Sequence, residues 1–244
     1  MRLSKAVTHK LKIGPKTTKN ILSDLDPLYH EYSFFGVYNK QTEGHYIANQ
    51  KAKAPIITAY IAYAIAKSKE YNNQVSFSEL FCADGYFAMV ASRLGATKSY
   101  GIDNNFSKHD YALKVKDIAK RLGLDNVVFI NEDVNNTQKL PKTDIVANVG
   151  GLYHVSNPKE VLRNSYTLAR RYLIVQSVVS LAAKSPQYFE TPAPGWTWGS
   201  RFSKQSFDKL IKDLGYKVID RHFNELKGNK RLEDRGSCYY LIEK

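Results

Sequence analysis

From residue 75 to residue 178 short apolar runs alternate with segments of helical periodicity, and no other feature restricts the fold of this chain as much. The apolar runs are residues 75–81, 99–102, 127–130, 144–149 and 172–178, and the helical patterns are 86–94, 107–122 and 158–170. A strand, a helix and another strand repeated in this way predict parallel strands with helices on both faces of the sheet. The pattern then changes. Residues 202–214 read as a helix with Phe207, Leu210, Ile211 and Leu214 inward, followed by two strands, 216–223 and 237–242, with no helix between them. Joined only by the polar loop 224–235, these two pair as an antiparallel hairpin at the sheet edge.

Upstream of the alternation, Pro55 suits the first turn of a helix running to about Ser68, with Ile57, Ile61 and Ile65 as its core stripe. Residues 21–50 are rich in aromatics without a clean period, as a cap that covers something would be. Residues 1–20 are basic and broken by Gly14-Pro15, which predicts a flexible arm. The expected division is a basic arm (1–20), an aromatic cap with its helix (21–70) and the main domain (71–244).

Composition excludes several classes. At 244 residues, 43% of them hydrophobic, the chain can bury one sizeable core. Cys82 and Cys238 stand far apart and no secretory leader precedes them, so the expectation is a cytoplasmic protein with buried thiols. No apolar run reaches the roughly 18 residues of a membrane helix, and membrane insertion is not expected. The net charge of +13 has a surplus at both ends, which either draws RNA to the basic termini or only solubilises the chain. The six histidines show no H-x-x-x-H or H-E-x-x-H spacing, so no metal site is expected, and no G-x-S-x-G nucleophile elbow occurs.

In an open α/β sheet, ligands bind beyond the carboxyl ends of the strands, near strand 1. There the chain reads E-L-F-C-A-D-G-Y-F, residues 79–87. This resembles the first motif of S-adenosylmethionine-dependent methyltransferases, an acidic residue followed by G-x-G-x-G. Glu79 takes the acidic position and Gly85 the last glycine, while Phe81 and Ala83 replace the first two. Ala83 with Gly85 still permits close approach of backbone to ligand. G-x-G-x-x-G is absent, which leaves a dinucleotide pyrophosphate without its amide cradle; a sulfonium cofactor needs none.

The resemblance implies a Rossmann-like class I methyltransferase fold, α/β, with a mostly parallel seven-stranded sheet ending in an antiparallel hairpin, and S-adenosyl-L-methionine as cofactor. Asp103, followed by Asn104, ends strand 2, where its carboxylate can accept both ribose hydroxyls. Its other available role is to cap the helix starting near Ser107, which Asn105 can serve equally well. Asp133 and Val134 follow strand 3, where the family places an acidic group against the adenine amine.

Residues 143–162, T-D-I-V-A-N-V-G-G-L-Y-H-V-S-N-P-K-E-V-L, are similar to the G-x-L-Y-H segment of methyltransferases related to the bacterial tRNA wobble-uridine carboxymethyltransferase. That similarity implies Asn148 beside the donor and Tyr153 in the reaction pocket, where the tRNA enzyme uses a tyrosine to help hold a carboxylated donor. His154 then serves either as a general base or as a structural residue before the next helix. The loop 185–200 holds Tyr188, Trp196 and Trp198 and is expected to wall the acceptor, or else to fold onto its own core. The expected activity is methyl transfer to an oxygen or nitrogen of a small molecule or glycan. The alternatives are a tRNA-modifying (carboxy)methyltransferase and a non-catalytic binding protein, the latter suggested by Phe81 and Ala83.

Overall fold

The structure is a computed structural model and describes residues 21–104 and 111–244. The expected arm, residues 1–20, and the expected helix start near Ser107 lie outside the described residues. Strands β1 (Ser76–Leu80), β2 (Lys98–Asp103), β3 (Val127–Asn131), β4 (Thr143–Val149) and β5 (Ala169–Val179) run parallel. Two short strands, β6 (Phe189–Glu190) and β7 (Arg201–Phe202), form a separate ribbon. The expected hairpin is β8 (Lys217–Glu225) with β9 (Gly236–Glu243), and β9 lies antiparallel to β5. The seven-stranded sheet has the order β3-β2-β1-β4-β5-β9-β8.

Helices α1 (Tyr46–Lys69), α2 (Tyr86–Arg93) and α3 (Tyr111–Arg121) cover one face of the sheet, and α4 (Pro158–Leu168) and α5 (Lys204–Asp213) cover the other. Helices on both sides remove both faces of the central strands from water, so β1 and β4 are buried along nearly their whole length rather than at alternate residues. Ile57, Ile61 and Ile65 of α1 are buried as the stripe predicted, each contributing about 2 kcal/mol of apolar burial. Ser203 caps α5 through a reciprocal bond with Ser206, which ends β7 and starts the helix at that point.

One helix boundary differs from the sequence reading. Pro55 lies inside α1, ten positions beyond His45 at the N-cap, and does not open the helix. A proline ring removes one amide and frees the carbonyl four residues back. Here that carbonyl belongs to Lys51, which is exposed and can be hydrated, while the neighbouring Ala52 carbonyl accepts from Asn224 Nδ2 at 2.9 Å. The aromatic cap packs onto the main domain: Leu22, Leu28, Tyr32 and Val37 are buried in the same core as α1 and α2. No helix of the described residues is long and apolar enough to cross a membrane.

Candidate active site

The five parallel strands all end on one edge of the sheet, and the β1–α2 turn lies at its centre, between the ends of β2 and β4. Within that turn Phe81 (φ 58°), Ala83 (φ 48°) and Gly85 (φ 72°) are all in left-handed conformation. These are the three positions where the family motif carries glycine. The backbone therefore keeps the glycine geometry although two of the residues have side chains, at a cost of about 1–2 kcal/mol for each. At Gly85 no other residue fits, because a Cβ there would stand 2.3 Å from Phe129 Cε1.

What holds the strained turn is a clamp that sequence reasoning missed. Asp84 is 1% exposed, and its carboxylate accepts from the His30 backbone N–H at 2.8 Å and from His30 Nδ1 at 2.6 Å. Tyr32 donates its hydroxyl to the Asp84 carbonyl at 3.0 Å. The Tyr86 ring stacks on His30 at 4.8 Å. The aromatic cap thus covers the donor turn itself. Only the Asp84-Gly85 pair hinted at a special turn; nothing in a sequence pairs it with a histidine 54 positions away.

Glu79, expected among the donor ligands, is turned toward the start of α2. Its side chain is buried and accepts from the Ala88 N–H at 2.7 Å and from that of Phe87. Gly85, at the N-cap of α2, has no side chain to satisfy those amides, so Glu79 does so from β1. Burial raises the Glu79 pKa well above the usual carboxylate range, and the amide bonds oppose that rise. Asn148 is likewise displaced from its expected place. It faces the α4 side of the sheet, fully buried, with Nδ2 donating to Ser165 Oγ at 2.9 Å. The strand alternation puts Ala147 and Val149 on the opposite face.

The other donor positions come together. Asp103 Oδ2 accepts from the Ala83 N–H at 3.0 Å, tying the end of β2 to the strained turn. Asn104 Nδ2 donates to Asp133 Oδ2 at 3.1 Å, and Asp133 Oδ1 accepts from the Asn135 N–H at 2.8 Å. Phe81, Asn104, Asp133, Val134, Asn135 and Val155 line a recess of about 70 Å³. It is small because the Phe81 ring leans across the end of β4: a Cβ on Gly151 would lie 1.9 Å from Phe81 Cδ2. The turn backbone and the two aspartates suit a nucleoside sulfonium, provided that ring turns aside.

After β4, Leu152–His154 form a single 3-10 turn. The Tyr153 carbonyl accepts from the Ser200 N–H at 3.2 Å, which pins the 185–200 segment over the turn. Close packing requires Gly199, whose Cβ would stand 2.3 Å from the Tyr153 carbonyl oxygen. Trp198 then stacks on His154 with centroids 5.0 Å apart and planes at 18°, and Trp196 packs on Trp198 at 5.0 Å. Tyr188 stands apart from this stack and donates to Glu190 at 2.8 Å. Burial, with the charges of Arg201 and Lys53, lowers the His154 pKa to about 4, although the residue stands at the protein surface. Burial pushes the Tyr153 phenol up to about 12. At neutral pH the imidazole is uncharged and the phenol protonated. Burial raises both cysteine thiols, which keeps them unreactive. No cluster suited to a metal ion occurs among the described residues.

Strand order, the glycine-type turn and the aspartate ending β2 together define a class I, S-adenosylmethionine-dependent methyltransferase. The chain belongs to the methyltransferase-domain family, whose model matches residues 72–215. Its fold is similar to the magnesium protoporphyrin IX methyltransferase of Synechocystis PCC 6803 with bound SAH, at 16% identity and a TM-score of 0.58 over 84% of this chain and 89% of that one. It is also similar to the N-terminal domain of EvdMO1 with SAH bound, at 14% identity and a TM-score of 0.60 over 91% of this chain and 92% of that one. A third likeness is to the [4+2]-cyclase SpnF, at 16% identity and a TM-score of 0.56 over 75% and 79%. A search of curated proteins finds no match.

Proposed function

We infer that this methyltransferase acts on an oxygen or nitrogen of a small-molecule or glycan acceptor held against the surface formed by the Tyr153–His154 turn and the Trp196–Trp198 arch stacked on it. The observation that carries this reading is the His154–Trp198 stack, since it places an aromatic surface and an uncharged imidazole together at the end of β4, next to the donor turn. S-adenosylmethionine, when bound, supplies a methyl group already activated by its sulfonium, so the protein needs neither metal nor covalent intermediate. Asp103 accepts the ribose hydroxyls, Asp133 with Val134 meets the adenine, and the backbone of residues 81–85 lies against the amino-acid portion. Phe81 turns away from Gly151 as the donor seats. His154 accepts a hydrogen bond from the acceptor and orients its lone pair; alignment supplies most of the acceleration. With a pKa near 4 the ring is a weak base, so the proton that the acceptor loses on methylation passes through it to solvent at its exposed edge.

The test combines calorimetry with S-adenosylmethionine and a cell-extract reaction using donor labelled in the methyl group. Donor binding with label transferred to a low-molecular-mass product is expected. Donor binding with label appearing only in RNA would replace this reading with the tRNA-modifying one. A second reading, a binding protein that has kept the fold, is favoured by the Phe81 ring narrowing the recess. Absence of donor binding to the folded protein would establish it.

A further inference from the structure

Beside Tyr153 lies a group of cations that the methyl-transfer step does not use. Arg201 is 4% exposed, and its guanidinium carbon stands 5.5 Å from the Tyr153 ring centroid. Nη2 donates to Asp234 Oδ1 at 2.7 Å, but Nε and Nη1 are buried without a hydrogen-bond partner, and so is the adjacent Ser200 hydroxyl. Asp234 does not serve Arg201 alone: its Oδ2 also lies 3.6 Å from Arg231 Nε. Lys53 of α1 is near enough that its charge helps to depress both His154 and His45. Burial alone lowers Lys53 to about 8, so it remains mostly charged at neutral pH.

A buried guanidinium with two idle donors is expensive to keep, because desolvation is uncompensated wherever a donor lacks its acceptor. Such a group is retained where a ligand completes it, and the fork geometry of arginine matches the paired oxygens of a carboxylate or phosphate. We propose that Arg201 and Lys53, with the Ser200 hydroxyl, form an oxyanion subsite for the methyl acceptor, which therefore carries a carboxylate or phosphate group. This rests on the acceptor position given above. The oxyanion would meet the two idle guanidinium donors, with Trp198, 43% exposed, left to cover the rest of the molecule. It would also offset the positive charges of Arg201 and Lys53, which add to the larger effect of desolvation on His154.

The chain's two tryptophans both lie in the arch, and intrinsic fluorescence therefore reports on this subsite. Wild-type protein is titrated with inorganic phosphate and with benzoate against chloride at equal ionic strength, both free and saturated with S-adenosylhomocysteine. Quenching by phosphate or benzoate but not by chloride is expected, and the stronger of the two identifies the acceptor as a phosphate ester or a carboxylic acid. Arg201→Gln and Lys53→Met should each weaken that binding about tenfold or more, with affinity for S-adenosylhomocysteine retained. Arg201→Lys, which keeps the charge without the fork, stands in should the glutamine variant fail to fold. Absence of anion-specific quenching, or unaltered binding in the folded variants, overturns the proposal. Loss of S-adenosylhomocysteine affinity in those variants also overturns it, by placing the cations on the donor. If phosphate or benzoate binds wild type while S-adenosylhomocysteine does not, the subsite stands and the methyl-transfer reading falls.

Discussion

Replacing Asp84 by alanine should loosen the donor turn and weaken donor binding through the same loss. In the folded protein the Asp84 carboxylate takes two hydrogen bonds from His30, at 2.8 and 2.6 Å. Two charge-assisted bonds contribute about 3–6 kcal/mol, from which roughly 2 kcal/mol is offset by no longer burying the carboxylate. The net loss is then about 1–4 kcal/mol, and for a chain of this size it lowers Tm by about 2–16 °C. The effect on binding follows from the strain. With Phe81 and Ala83 held at positive φ, the turn stores at least about 2 kcal/mol that the clamp maintains. A turn that relaxes has to be strained again when the donor binds, which weakens affinity by about thirtyfold. Scanning calorimetry and titration with S-adenosylhomocysteine measure the two quantities on the same sample. Asp84→Asn, retaining one acceptor oxygen, should fall about midway. A Tm shift below about 2 °C would refute the clamp. A large Tm shift with unchanged donor affinity would show that His30 holds only the cap and not the turn.

Asp103→Ala should weaken donor binding by about 1.5–3 kcal/mol, by loss of the ribose acceptor and of the Ala83 N–H tie; an unaltered dissociation constant by calorimetry would refute the ribose assignment. Phe81→Gly removes the ring over Gly151 and the strain together, so donor association measured by stopped flow should become faster, and an unchanged rate would show that the ring does not obstruct. His154→Ala should lower turnover about a hundredfold with donor affinity intact, and a variant with full turnover would make His154 structural. Because the folded pKa of His154 is lowered from 6.5 to about 4, the unfolded chain binds the proton first as pH falls. This group therefore takes away stability progressively between about pH 6.5 and 4 and has no effect above that window. Arg201→Gln removes one cause of the shift and should raise the lower edge of the window, narrowing it, in a pH series of melting curves.

Much of the fold was legible in the sequence because its causes are local. The period-2 and period-3.6 apolar patterns place β1 to β5 and the helices between them, and the missing helix between 216–223 and 237–242 dictates the β8–β9 hairpin. Aspartates at strand ends, Asp103 and Asp133, are likewise readable, since topology alone brings the ends of adjacent parallel strands together. What tertiary structure decided is where side chains go once several elements meet. Glu79 sits at the motif's acidic position, yet which way it turns depends on α2 having a glycine N-cap whose amides need an acceptor. Asn148 faces α4 through strand parity and a bond to Ser165. Pro55 could be kept within α1 because the carbonyl it frees faces water. The His30–Asp84 clamp and the ion pair of Arg201 with Asp234 join residues far apart in the chain, and no local pattern records such a meeting. Local periodicity carries secondary structure, whereas strand order and hydrogen-bond satisfaction in the buried interior are properties of the assembled molecule and decide where the motif side chains are held.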